Sequence, residues 1–523
     1  MVIKYKYNKY IKVLLVCVFC IFISSSFNTQ THDEIEEFIL PITPDILELR
    51  ERIDSILESY NSFDLDIALS IISLDLPQVF YELEAETPFV PASNLKVITS
   101  AVALDKFGSD FKWETDFYTS NTNNLYIRAS GDPTWNDMLY RGSINRLFRS
   151  IADSLRANDI TNISGNVIID PGTFSDFPLG KGWRERNRIE AYSSLSSALA
   201  FNENTVQARI RPSTAGNRAN ISLFPSNNGF NIVNNVTTTA DRNNTGISFD
   251  TDQASNTVRV SGRIWERSRP QYRTFAIPIP DDYALNLFRT RLQEQGITIN
   301  GDVRYHRFTA ENPSLSRYTR IFTIESMPIP RVLDEINKRS NNFMSNQLFL
   351  TIGDVHNNAG DTENIIKRWF QTNNISADSL MMFDGSGLSY ENRTTVGMLT
   401  SVLKLMYQSE HFEVFHNSMA ISGQDGTLRN VFRCETLNRE VHAKTGFILG
   451  VRGLTGYIKT ADGEMLGFSL IVNREGSRIR NFNQIAEKIL LELATFERGD
   501  YHIAGRMFNS PARVTASERG DEI

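Results

Sequence analysis

Pro91-Ala92-Ser93-Asn94-Leu95-Lys96-Val97-Ile98-Thr99-Ser100-Ala101-Val102-Ala103-Leu104 sets a hydroxyl and an amine three positions apart at the head of a run that is apolar on nearly every face. A helix with apolar residues all round belongs inside a domain. Residues three apart share a helix face, about 5–6 Å from each other. Ser93 and Lys96 on an exposed helix would be unremarked polar residues, but Val97, Ile98, Ala101 and Val102 follow at once and carry the pair into a core.

A serine hydroxyl becomes nucleophilic when a base takes its proton, and a lysine is that base only while neutral. Free lysine titrates near ~10.4, so service near neutral pH needs a depression worth roughly 4 kcal/mol. Burial disfavours the ammonium, and a second cation nearby pushes the same way; Lys444 is the candidate for that cation. The helix N-terminus also aims amide N–H groups at developing negative charge, so the Ser93 N–H can form half of an oxyanion hole.

Two more short motifs follow in order. Ser340-Asn341-Asn342 precedes Phe343, Met344, Leu348 and Leu350, where its ordinary reading is a helix cap. Lys444-Thr445-Gly446 ends the alternating run Val441-His442-Ala443, ahead of strand-like runs 452–460 and 464–473 that flank the turn Ala461-Asp462-Gly463, a hairpin signal. That puts Lys444 and Thr445 on a strand lining a groove, with Gly446 allowing close backbone approach.

The 523 residues predict two to four domains. Hydrophobic residues at 41%, charged residues at 22% and 33 Phe exclude a disordered chain. A net charge of −7 offers no basic field for a phosphate backbone, which excludes nucleic acid as partner. Residues 1–26 read as a signal peptide: Lys4, Lys6, Lys9 and Lys12 without an acid, then apolar Val13 to Ile23, then Ser24 to Ser26. The apolar run is too short for a helix spanning about 30 Å. Large Val16 and Phe19 stand before Cys17 and Cys20 where lipid processing needs a small residue. Cleavage leaves 50 basic against 61 acidic residues, net −11, and a single cysteine, Cys434, so neither an internal disulfide nor a cysteine zinc site is available. The expected location is exported, periplasmic or extracytoplasmic.

Thr43-Pro44-Asp45 opens a helix to about Tyr60, and 66–74 and 79–83 read as a strand pair. From about 113 to 303 the texture is short β-prone runs interrupted by one helix, Tyr283 to Glu294; helical texture returns at 330–349, 362–370, 396–407 and 479–494. The expected organisation is an α/β (α+β) catalytic domain from 33–113 and 310–497, a mainly β block 114–309 inserted into it, and a polar tail, 498–523.

Together, Ser-x-x-Lys, Ser-x-Asn and Lys-Thr-Gly form a serine acyl-transfer signature. With Gly131-Asp132-Pro133-Thr134, Asp384-Gly385-Ser386-Gly387-Leu388-Ser389, Asp425-Gly426-Thr427-Leu428 and Gly450-Val451-Arg452, the chain resembles the class C low-molecular-mass penicillin-binding proteins, serine D-alanyl-D-alanine carboxypeptidase/endopeptidases, over about residues 40–497. The separation of 247 positions from Ser93 to Ser340 fits that family's large insertion. The resemblance implies a β-lactamase/transpeptidase-like fold with two nested, mainly β subdomains. It implies Ser93 as the acylated nucleophile, Lys96 as its base, Ser340 as proton relay to the leaving D-alanine, Asn342 as a ligand of the substrate amide, and Lys444 as electrostatic control. Thr445 would bind the terminal carboxylate beside Gly446, and the Phe447 N–H would complete the oxyanion hole. Phe447 departs from the commoner Ser or Thr, removing a second hydroxyl for the carboxylate, which points toward endopeptidase action. Implied partners are peptidoglycan stem peptides and, as covalent inhibitors, β-lactam antibiotics; no cofactor or metal is implied.

Two other readings stay open: a β-lactamase, and a non-catalytic wall-binding scaffold. Glu435-Thr436-Leu437-Asn438 resembles a β-lactamase deacylation loop but is one residue short and lies only 9 residues before Lys444. Zinc chemistry fails because His411 and His416 lie about 500° apart around a helix. Loose membrane association and oligomeric state are left undetermined.

Overall fold

A computed structural model describes residues 40–60, 64–120, 123–137, 144–172, 174, 180–226, 229–308, 315–353 and 362–499, with the short strands 502–503 and 506–507. The expected signal peptide, with Cys17 and Cys20, lies outside the described residues, as does most of the 498–523 tail.

Helix α1, Pro44–Glu58, starts behind Thr43 with proline in its first turn and buries Ile46, Leu49, Ile53 and Leu57. Strands β1 (Asp66–Ser73) and β2 (Val79–Leu83) pair antiparallel. Helix α2, Leu95–Phe107, buries every residue from Leu95 to Leu104, and the turn Ala92–Asn94 leads into it. Later in the chain come α3 (Ile329–Asn337), α4 (Asn342–Ile352) and α5 (Val396–Gln408). Strands β3 (Ala420–Ile421), β4 (His442–Ile448), β5 (Val451–Lys459) and β6 (Met465–Asn473) precede α6, Phe482–Ala494.

These strands make one six-stranded sheet in the order β3-β4-β5-β6-β1-β2, antiparallel throughout. The early strands therefore close against strands from the end of the chain. Both faces are covered, and β5 and β6 are accordingly buried along nearly their whole length. On one face the apolar stripe of α1 is completed by α6: Ile46, Leu49 and Ile53 pack with Ile485, Leu490, Leu454 and Phe468 in one core. On the other face Val97, Ile98, Leu399 and Leu403 join Ala68, Tyr457 and Ile471 in a second. This is the α+β architecture expected.

The intervening block holds a five-stranded mixed sheet, in the order 303–305, 167–170, 125–128, 114–119, 319–325, and two three-stranded sheets. Strand Thr319–Glu325 lies beyond the boundary drawn at 309 yet pairs with Glu114–Thr119. The expectation of a single helix in this block is corrected by a second, Ile144–Ala157. Its buried stripe Ile144, Leu147, Phe148, Ile151 and Leu155 has helical period, so the signal was present in the sequence. The block is continuous with the second core, in which Phe148, Phe201, Val206 and Phe275 join the residues of α2 and α5.

The helical stretch expected from 330 to 349 is broken into α3 and α4. The break falls at Ser340, whose φ of 60° is in the left-handed region, where a non-glycine residue is held at a cost. Asn341, not Ser340 or Asn342, caps α4: its side chain accepts from the Met344 N–H. The cap leaves the flanking Ser340 and Asn342 side chains available for other work.

Candidate active site

The turn before α2 puts Ser93 at the helix head, with Ala92 at φ 47° directly before it. Lys96 Nζ lies 3.0 Å from Ser93 Oγ, 2.7 Å from Asn342 Oδ1 and 2.5 Å from the Ser386 carbonyl oxygen. A neutral amine has two N–H donors and one lone pair. Asn342 Oδ1 and the Ser386 carbonyl take the two donors, so the lone pair is left facing the Ser93 hydroxyl. Lys96 is fully buried. Burial lowers its pKa to about 7, against an opposing influence of the Asp384 carboxylate. Of the two expected contributors, burial is the one that holds Lys96 down; the repulsion between the two lysines acts instead on Lys444, which burial and then Lys96 hold well below the ordinary lysine range.

Lys444 and Thr445 are on β4, as expected, with Lys444 buried. Lys444 Nζ donates to Ser340 Oγ at 2.9 Å and to the Thr445 carbonyl at 2.8 Å. The three motifs thus converge: Ser93 on Lys96, Lys96 on Asn342, Ser340 on Lys444. A side chain at Gly446 would meet the Pro91 carbonyl and Asn94 at 3.0–3.2 Å, so the glycine lets β4 lie against the Ser93 turn. Phe447 is 62% exposed, with the Arg452 guanidinium 4.9 Å from its ring centre.

Other residues, given no role from sequence, complete the site. Thr445 Oγ1 donates to Thr427 Oγ1 at 2.8 Å, so a second hydroxyl, from the Asp425-Gly426-Thr427-Leu428 segment, stands beside that of Thr445. Asp384 accepts from the N–H groups of Ser386, Gly387, Leu388 and Ser389 and from Trp183 Nε1, fixing the loop whose Ser386 carbonyl faces Lys96. Gly387 has φ 79°, and a side chain there would run into the Ala92 carbonyl. Asn342 Nδ2 donates to the Tyr192 carbonyl at 2.9 Å and Asn341 Nδ2 to Glu203 Oε1 at 2.9 Å. Both asparagines of the second motif are therefore held by the inserted block. Burial raises the pKa of Glu203.

The residues surround a cleft of 530 Å³ whose walls include Ser93, Ser340, Asn342, Thr427, Thr445 and Phe447 with Trp183, Arg184, Arg186, Tyr192, Tyr390 and Arg478. Among the described residues, three arginines and no carboxylate line it, a field suited to an anionic ligand. A larger hollow of 830 Å³ beside Lys106, Phe111, Trp113 and Glu325 contains none of these groups. The other sequence candidates lie apart from the chemistry. Glu435 is on the approach to β4, and His416 stacks on His442 at 4.0 Å. Cys434 is exposed. A half-buried serine backed by a buried amine, under an arginine-lined cleft, can carry out acyl transfer on a carboxylate-bearing substrate.

The model of the D-Ala-D-Ala carboxypeptidase 3 (S13) family matches residues 49–492. The D-alanyl-D-alanine carboxypeptidase of Actinomadura sp. (strain R39) is 25% identical over 452 residues, covering 82% of this chain and 81% of that protein. The crystal structure of penicillin binding protein 4 (dacB) from Haemophilus influenzae is similar with a TM-score of 0.71 at 21% identity, over 85% of this chain and 99% of that one. The same protein complexed with a β-lactam gives a TM-score of 0.68 at 20% identity, over 86% and 100% of the two chains.

Proposed function

The chain belongs to the D-Ala-D-Ala carboxypeptidase 3 (S13) family and is a serine-type D-Ala-D-Ala peptidase, and from that premise we propose that Ser93, Lys96, Ser340, Asn342 and Lys444 carry the reaction on peptidoglycan stem peptides outside the cytoplasm. The observation that carries the assignment is the Lys96 amine, 3.0 Å from Ser93 Oγ with its other two contacts occupied by acceptors. Lys96 takes the Ser93 proton as Oγ adds to the penultimate D-alanine carbonyl. The oxyanion is met by the N–H groups of Ser93 and Phe447. The C–N bond then breaks and the departing D-alanine nitrogen takes a proton through Ser340, whose oxygen Lys444 holds at 2.9 Å. Water hydrolyses the acyl-enzyme and restores the serine.

Thr445 and Thr427 together give the terminal carboxylate two hydroxyls, with Gly446 and Phe447 in the adjacent wall. This supports carboxypeptidase action despite the aromatic residue at 447. A β-lactam presents the same acylating carbonyl beside a carboxylate, and the complex of the Haemophilus influenzae protein supports its acylating Ser93 here. We also take the catalytic domain to be 33–113 with 326–497, its second part shortened from the expected 310–497, and the inserted unit to be extended from 114–309 to the end of strand 319–325. The test is intact-mass spectrometry after incubation with a penicillin: a lasting adduct on the wild type and none on Ser93→Ala is expected. Rapid antibiotic turnover without an adduct favours a β-lactamase, and neither adduct nor turnover favours a binding-only protein.

A further inference from the structure

One three-stranded sheet of the inserted block is formed by Gln271–Ala276, Thr205–Arg211 and Asn220–Phe224. Its register sets Tyr272 opposite Arg209 and Arg209 opposite Ser222, then Thr274 opposite Gln207 and Gln207 opposite Phe224. Residues directly opposite across antiparallel strands share a face. Tyr272, Arg209, Gln207 and Phe224 therefore stand on one side, while Val206, Ala208, Ile210 and Phe275 are buried on the other. Tyr272 is 57% and Phe224 50% exposed. The two rings are two strands and two residues apart, about 12 Å by strand geometry. Arg209 is on the strand between theirs, its guanidinium 5.9 Å from the Tyr272 ring centre.

The charge of this region runs against that of the chain. Residues 205–276 contain nine Arg and no Lys against Asp241, Asp250, Asp252 and Glu266, net +5 in a chain of net −7. Flat aromatic faces spaced along an open sheet suit the C–H faces of sugar rings, and guanidinium and amide groups between them suit hydroxyls and carboxylates. The sheet is also tied to the cleft: Phe275 bridges Glu190, Arg273 pairs with Glu190 at 2.8 Å, and two residues on, the Tyr192 carbonyl holds Asn342.

We infer that this face is a docking surface for the glycan strands of peptidoglycan with their acidic stem peptides, holding the polymer whose peptide ends enter the cleft. The inference rests on the D-Ala-D-Ala peptidase reading for the identity of the polymer. Its test sediments full-length Ser93→Ala protein with insoluble peptidoglycan, with and without Tyr272→Ala plus Phe224→Ala, and assays the same double substitution in the active enzyme on a short soluble peptide ending in D-Ala-D-Ala. The double substitution is expected to weaken association with the polymer about tenfold or more while short-peptide turnover is unchanged, which also shows that the variant folds. Unchanged sedimentation overturns the inference, as does an equal loss on the short peptide. So does association of the parent with phosphatidylglycerol vesicles in preference to peptidoglycan. Absence of short-peptide turnover in the active parent, with the sedimentation difference intact, refutes the catalytic reading and leaves the docking surface standing.

Discussion

Lys96 is expected to switch acylation off as pH falls through about 7. The reaction needs the neutral amine, and burial brings the lysine from its ordinary 10.5 to about 7. The sign follows: the base form is present above this value and lost below it. The neutral fraction is ~10/11 at pH 8 and ~1/11 at pH 6, so the second-order acylation rate should fall about tenfold between them and level off above pH 8. An unperturbed lysine would instead give a fall of about a hundredfold over that interval, with no plateau before pH 10. The assay is stopped-flow acylation by a chromogenic β-lactam from pH 5 to 9.5. Asp384→Asn adds a second test of cause. The Asp384 charge favours the ammonium, so its removal is expected to move the midpoint to lower pH, and the remaining amide oxygen keeps the acceptor for the N–H groups of 386–388. A rate that climbs without a plateau through pH 9, or a midpoint raised by Asp384→Asn, refutes the assignment of Lys96 as the base set by burial.

Thr427→Val removes one of two hydroxyls at the carboxylate end and should lower kcat/KM about tenfold on a peptide with a free D-Ala-D-Ala terminus; an equal effect on a substrate lacking that carboxylate counts against the pairing with Thr445. Glu203→Ala takes the acceptor from Asn341 Nδ2, at a cost of about 1–3 kcal/mol, and should lower both Tm and kcat, while Glu203→Gln keeps the acceptor and restores both. Gly387→Ala drives a methyl into the Ala92 carbonyl next to Ser93 and should slow acylation about a hundredfold, in line with the cost of a misplaced reacting group; a wild-type rate would show that the loop yields freely. Deleting 114–325 uncovers the core around α2 and removes the partners of both Asn341 and Asn342, so the remainder should unfold at lower denaturant and fail to acylate.

Local chemistry was legible without coordinates. Ser93 and Lys96 are three apart, and any helix through that apolar run must bring them together. The hairpin at 451–473 and the buried character of α2 follow from patterning of the same short range. The Ile144–Ala157 helix is equally legible from its stripe, although β-prone neighbours on both sides obscure it. Thr427 lay within a recognisable segment, but its hydroxyl gains meaning only from standing 2.8 Å from that of Thr445.

What the sequence determined by itself is the inventory: a serine–lysine pair at the head of a buried helix, a second hydroxyl with two amides, a lysine on a strand, and a long insertion between them. The tertiary structure alone decided their coupling. Lys96 meets Asn342 across 246 residues, Asn342 meets Tyr192 across 150, and Lys444 meets Ser340 across 104. Periodicity encodes which face of an element is apolar, but it carries no information on which distant loop will satisfy a given amide or how much water a lysine loses. Those depend on the closed sheet, in which strands from both ends of the chain pair, and on the inserted block that closes over the motif between them.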